Sequence, residues 1–70
     1  MKISARNVLS GTIVSIVRGP VTTEVTLEIA KGVQIVSTIT SRSAESLKLK
    51  EGGKAYGVIK ASSVMVATDD

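Results

Sequence analysis

Three short clusters in this 70-residue chain bring hydroxyls and fixed cations together. Ser4-Ala5-Arg6-Asn7 places a hydroxyl, a guanidinium and a carboxamide within four residues. Thr40-Ser41-Arg42-Ser43 supplies three hydroxyls and a second guanidinium, and Lys60-Ala61-Ser62-Ser63 sets an ammonium beside two hydroxyls. Hydroxyls, carboxamides and backbone N–H groups can all donate hydrogen bonds, while arginine and lysine do nothing else. A compact anion rich in acceptors is their natural partner. One such cluster is ordinary in a turn-rich β protein. Three in so short a chain point to an anion site, without naming the anion.

The remaining inventory removes most other chemistries. Cysteine and histidine are both absent, which excludes disulfides and thiolate sites and takes away the commonest ligand of zinc, copper and nickel. No base stands beside any serine, so nucleophilic catalysis has no support. Glu24 and Glu28 share the outward face of a strand and Glu45 and Glu51 lie apart, so no carboxylate cluster has the form of a calcium loop. A binding protein is expected rather than an enzyme. The net charge of +3 leans weakly toward an anionic partner and does not imply nucleic acid by itself. Tyr56 is the single aromatic, so a nucleic-acid-binding module, the alternative reading, would lack the stacking platforms that give such modules their affinity. No apolar run reaches the roughly 18 residues that span a bilayer, and no secretory apolar stretch follows Met1-Lys2. A cytoplasmic protein with no membrane partner is the expectation.

The elements that must position these clusters are mostly strands. Val21, Thr23, Val25, Leu27 and Ile29 alternate with Thr22, Glu24, Thr26 and Glu28, the period of a half-buried strand. After a turn at Ala30-Lys31-Gly32, the segment Val33 to Thr40 alternates again, and the two read as a hairpin. Before them Val8 to Val17 is β-branched and reads as a bent strand, with Gly11 marking a bulge or bend. Arg18-Gly19-Pro20 is the turn that follows it. Ser41 to Leu47 loses the period of two and opens with N-cap hydroxyls, which predicts a short helix. Its N-terminus would offer free N–H groups to an anion. Glu51-Gly52-Gly53 is a turn, Lys54 to Lys60 and Ser63 to Thr68 are two further strands, and Asp69-Asp70 is a frayed acidic end. Three strands, a helix and two strands give an all-β fold, a five-stranded OB-like barrel with one short helix between strands three and four.

The chain forms a single domain, residues 1–70, with no linker or repeat. A domain this small buries only about 60% of the surface its unfolded chain exposes. Ten valines and seven isoleucines are a large β-branched content for such a molecule. With disulfides excluded, self-association is the expected source of further stability.

In register with these elements, a set of motifs resembles one family. Ile3-Ser4-Ala5-Arg6-Asn7 followed by Leu9-x-Gly11 is similar to the start of the molbindin, or Mop, domain. Thr23-Glu24-Val25-x-Leu27-Glu28-Ile29, the Gly52 turn and the ending Val58-Ile59-Lys60-Ala61-Ser62-x-Val64-Met65 carry the resemblance through the rest of the chain. The resemblance implies an OB-like barrel that binds molybdate, and usually tungstate, as an intact oxyanion in pockets between subunits. No protein atom would coordinate the metal. It further implies a homo-oligomer, a hexamer built as a trimer of dimers, that serves molybdenum storage. The domain also occurs fused to regulators and transporter ATPases. A chain with no room for a DNA-binding or nucleotide-binding domain fits the stand-alone storage form.

By the same resemblance, one subunit would contribute Ser4, Arg6 and Lys60 with the backbone of Ala5 and Ala61, and Asn7 and Ser62 beside them. The facing subunit would contribute Thr40 and Ser43. Barrel topology gives an independent reason for that division. Antiparallel strands one and four bring Ser4 and Arg6 beside Lys60, whereas strand three ends at the far side of the barrel. A second kind of pocket, on a threefold axis, would be lined by the backbone of Gly19, Val21 and Thr22 in the turn around Pro20, which itself has no N–H to offer.

Overall fold

A computed structural model describes residues 1–69. In chain order it contains β1 (Asn7–Arg18), β2 (Thr22–Ala30), β3 (Val33–Thr40), α1 (Ser41–Ser46), β4 (Lys54–Ile59) and a 3₁₀ turn at Ala61–Ser63. The strands form one antiparallel sheet in the order β3-β2-β1-β4. The long strand β1 serves two partners. Its first half, Asn7 to Thr12, pairs with β4, and Thr12 to Arg18 pairs with β2. Between Ile13 and Ser15 the register with β2 shifts, and the extra residue sharpens the local twist. The result is a curled half-barrel of OB-like topology with one short helix after the third strand.

The alternation in β2 sets the inside. Val25 and Leu27 are buried with Ile13, and Ile16, Ile29, Ile35, Ile39, Leu49 and Ala55 pack against them. Glu24 points to solvent, and Glu28 accepts a hydrogen bond from the Gly32 N–H (3.0 Å) that tightens the β2–β3 turn. Val21 does not belong to the inward series. It precedes β2 and is exposed, its carbonyl accepting from the Ser41 N–H at 2.8 Å.

The irregularity expected at Gly11 falls instead at Val14, while Gly11 serves a different purpose. A Cβ on Gly11 would lie 2.9 Å from the carbonyl oxygen of Glu28, so the glycine permits the close approach of β1 and β2. The stretch around the bulge is covered by the Glu51-Gly52-Gly53 turn. There the Ile13 N–H donates to Gly53 and the Gly52 N–H donates to Ile13, both at 2.8 Å. Arg18 also donates to the Leu49 carbonyl at 3.0 Å.

The expected fifth strand, Ser63 to Thr68, is not a strand in this chain. Hydrogen bonds from the Ser63 N–H to Lys60 (2.8 Å) and from the Val64 N–H to Ala61 (3.3 Å) close the 3₁₀ turn. The chain then leaves the sheet with no ladder partner among the described residues. A strand needs a partner for its backbone groups, and a run of β-branched residues does not say where that partner is. Of the acidic end, Asp69 lies outside any element and Asp70 lies outside the described residues.

Candidate anion-binding half-sites

The first cluster and the last meet at one end of the sheet. Asn7 pairs with Ile59 and Val8 with Val58, so Arg6 and Lys60 adjoin the last pair of this ladder, each one residue outside its strand. Asn7 fastens this end, its side-chain amide donating to the Ile59 carbonyl at 3.3 Å. Ser4, Arg6, Lys60, Ala61 and Ser62 are exposed and Ala5 is half-buried. Like charges at adjoining strand ends repel. No aspartate or glutamate occurs between Met1 and Arg18 or between Lys54 and Thr68 to offset these two. An anion held between Arg6 and Lys60 would relieve that repulsion and meet the hydroxyls of Ser4 and Ser62.

The middle cluster is built around the start of α1. Thr40 is its N-cap, accepting from the Ser43 N–H at 3.0 Å. The Thr40 hydroxyl in turn donates to Ser43 Oγ at 2.7 Å. Because Thr40 supplies the proton of that bond, the Ser43 hydroxyl keeps its own hydrogen for an outside acceptor. Both side chains are exposed.

Behind them sits the buried Thr23, 1% exposed. Its hydroxyl lies 2.8 Å from Ser41 Oγ, and Ser41 Oγ donates to the Gly19 carbonyl at 2.7 Å. Since the Ser41 proton goes to Gly19, Thr23 is the donor to Ser41. This relay ties the first turn of α1 to the turn that contains the second-pocket candidates. Within that turn the Gly19 N–H is committed to the Thr22 carbonyl at 3.0 Å, and Val21 and Thr22 present exposed side chains. Neither Thr23 nor Ser41 stands out as a positioning residue from the sequence. The available signal is a hydroxyl at an inward position of an apolar alternation, which must find a partner inside.

The two clusters are far apart within one chain. Thr40 pairs with Thr22, and Thr23 pairs with Arg18, at the end of β1 remote from Asn7. Eleven residue steps along β1 span roughly 35 Å, close to the longest extent of the molecule, 39 Å. One small oxyanion cannot touch both clusters of a single chain. No group of three or more His, Cys, Asp or Glu residues placed to hold a metal ion occurs among the described residues.

Similarity to known proteins extends over almost the whole chain. Residues 3–66 match the TOBE domain family. The chain is 48% identical over 66 residues to molybdenum-pterin-binding protein 1 of Clostridium pasteurianum, covering 94% of this chain and 97% of that one. It is 49% identical over 69 residues to the molybdenum transport protein ModE of Herbaspirillum seropedicae, where it spans 99% of its own length but 26% of the longer protein. Among solved structures, a molybdate binding protein from Sporomusa ovata superposes with a TM-score of 0.90 at 37% identity, covering 97% of this chain and 100% of that one.

Proposed function

The chain belongs to the TOBE domain family, in its molbindin (Mop) branch, whose members are binding proteins and not enzymes, and from that premise we propose that it binds molybdate. The anion is taken up intact, as a tetrahedral dianion, in pockets formed between two subunits. One subunit contributes Arg6 and Lys60, the hydroxyls of Ser4 and Ser62 and the backbone of Ala5 and Ala61, with Asn7 holding the strand ends. The neighbour contributes Thr40 and Ser43. The observation that carries this reading is that Arg6 and Lys60 adjoin the same end of the β1–β4 ladder, beside two strands without a carboxylate. Its complementary donors lie at the far end of the chain, where only a neighbour can bring them.

The mechanism is reversible hydrogen bonding. Four oxo groups already complete the coordination of molybdenum, so arginine and lysine balance charge while hydroxyls and amides match shape. Hydrogen bonds to charged groups contribute ~1.5–3 kcal/mol each, which makes each such donor a determinant of affinity. Tungstate, of the same charge and nearly the same size, substitutes for molybdate. A bare oxyanion is favoured over a pterin because Tyr56 is the one aromatic and stacking needs an aromatic face. Tyr56 pairs with Ser10, about 13 Å along β4 from Lys60. A second anion position at Gly19, Val21 and Thr22 would draw on Val21 and Thr22, the Gly19 N–H being committed.

The assembly is a homo-oligomer, a hexamer arranged as a trimer of dimers, and its role is molybdenum storage in the cytoplasm. No helix of the described residues is long and apolar enough to cross a membrane. The test is calorimetric titration of sulfate-free protein with molybdate, tungstate and sulfate, with the oligomer followed by native mass spectrometry. Tight uptake of molybdate and tungstate on an oligomer, with a weak sulfate response, is the expected result. Absence of heat and of bound anion would overturn the reading. Salt-sensitive binding of an oligonucleotide instead would transfer the chain to the nucleic-acid class.

A further inference from the structure

Helix α1 ends in a conformation that favours glycine. The Leu49 N–H donates to the Ala44 carbonyl at 3.2 Å and the Lys48 N–H to the Glu45 carbonyl at 3.0 Å. This paired closure puts the residue after the C-cap in the left-handed region, where glycine is usual. In this chain that residue is Lys48, with φ 53°. The two other left-handed positions among the described residues are glycines, Gly32 and Gly52. A side chain at such a position crowds the following carbonyl oxygen, so lysine stands there against a conformational cost. Strain of this kind points to a use for the side chain that bears it.

The surroundings of Lys48 indicate that use. Leu49 packs against the core, while Lys48 and Lys50 on either side of it are exposed. The Arg18 guanidinium donates to the Leu49 carbonyl at 3.0 Å, which sets a third cation beside the same residue. Two carboxylates belong to this stretch. Glu51 accepts from the Ile16 N–H at 3.3 Å, and Glu45 lies on α1, so the strip keeps a net positive charge. It lies apart from the hydroxyls of Thr40 and Ser43, since Lys48 follows the opposite end of α1.

We propose that Arg18, Lys48 and Lys50 form a docking strip for an acidic segment of a partner protein. Charge complementarity selects that class of partner. Lys48 and Lys50 are two residues apart and so separated by up to about 7 Å, the repeat of alternate side chains in an extended peptide. Carboxylates at that repeat can meet both ammonium groups and the guanidinium between them. A compact oxyanion fits less well, because it needs converging donors and no serine or threonine lies between Leu47 and Lys54. A nucleic acid would need stacking faces, and Tyr56, the one aromatic, lies on β4 outside the strip. Attraction of this kind acts through exposed charges, steers encounter and weakens with salt. The strip does not depend on the molybdate reading.

The test is fluorescence anisotropy of fluorescein-labelled hexaglutamate on the full-length protein at low salt. Lys48→Glu is expected to weaken binding of the peptide at least fivefold. Lys31→Glu makes the same change of charge at an exposed residue of the β2–β3 turn and is expected to weaken it less than twofold. Lys48→Gly relieves the left-handed strain, so its Tm is expected to rise by several degrees while its affinity for hexaglutamate falls at least threefold. Saturating molybdate is expected to leave the peptide bound. Four results would overturn the strip: equal losses in Lys48→Glu and Lys31→Glu, a Lys48→Gly variant that binds the peptide as well as the native chain, release of the peptide by molybdate, or tighter binding of an oligothymidylate than of hexaglutamate. Peptide binding by a protein that takes up no molybdate would support the strip and overturn the anion reading alone.

Discussion

Arg6 and Lys60 adjoin the open end of the β1–β4 pair, and removing either takes away half of the positive charge proposed to hold the anion. Arg6→Ala is expected to weaken molybdate binding at least tenfold in calorimetry while leaving the fold intact, because the side chain is exposed. Unchanged affinity would remove Arg6 from the site. Thr40 and Ser43 separate by role. Ser43→Ala deletes the outward hydroxyl but keeps the backbone N–H that Thr40 caps. Thr40→Val loses the cap as well, a change that typically costs ~1 kcal/mol of helix stability. Thr23 acts through others. In Thr23→Val, Ser41 loses the donor it receives at 2.8 Å, which is expected to lower stability by about 1–3 kcal/mol. Thermal unfolding checks the loss, and recovery of both stability and molybdate affinity in Thr23→Ser would identify the hydroxyl, rather than the volume, as what holds the half-site.

At the level of elements, legibility followed locality. β2, β3 and α1 could be read because their signals are local: a period of two through Val25 and Leu27, a turn at Gly32, a hydroxyl cap at Thr40. The pairing of β1 with β4 is legible from strand order through the expected topology. The bulge lies three residues beyond Gly11, at Val14, because a glycine in a strand signals either a bend or a close approach. At Gly11 it is the approach to Glu28 that matters. Gly11→Ala would press a methyl to 2.9 Å from that carbonyl, and overpacking of this kind costs about 1–3 kcal/mol. For a domain of this size each kcal/mol corresponds to roughly 4–8 °C in Tm, so a melting curve unchanged within two degrees would contradict the role assigned to Gly11. The tail is illegible for a different reason. Val64 to Val66 have strand composition, yet composition carries no information about which sheet supplies the partner. The Thr23–Ser41–Gly19 relay was invisible because it joins residues 18 and 22 positions apart.

For the whole molecule, the governing fact is that the two donor-rich ends of a 39 Å chain cannot reach one small anion. If neighbours complete the site, ligand binding and assembly are linked, and molybdate at a hundred times its Kd stabilises the bound oligomer by about 2.7 kcal/mol per site. Dilution of the protein should therefore shift subunit dissociation to lower concentration when molybdate is present, a change that native mass spectrometry reads directly. Sulfate should have little effect at the same concentration.

The most direct measurement mixes two variants that are each defective. One carries Arg6→Ala with Lys60→Ala, the other Thr40→Ala with Ser43→Ala, and each alone should bind molybdate poorly. Refolded together, a mixed dimer contains one site with both halves altered and one with both halves intact. The account predicts that bound molybdate returns in the mixture, to about one full site per mixed pair. Mixed oligomers that form in the mass spectrometer yet remain empty would contradict it, and would place the anion within a single chain or at other residues.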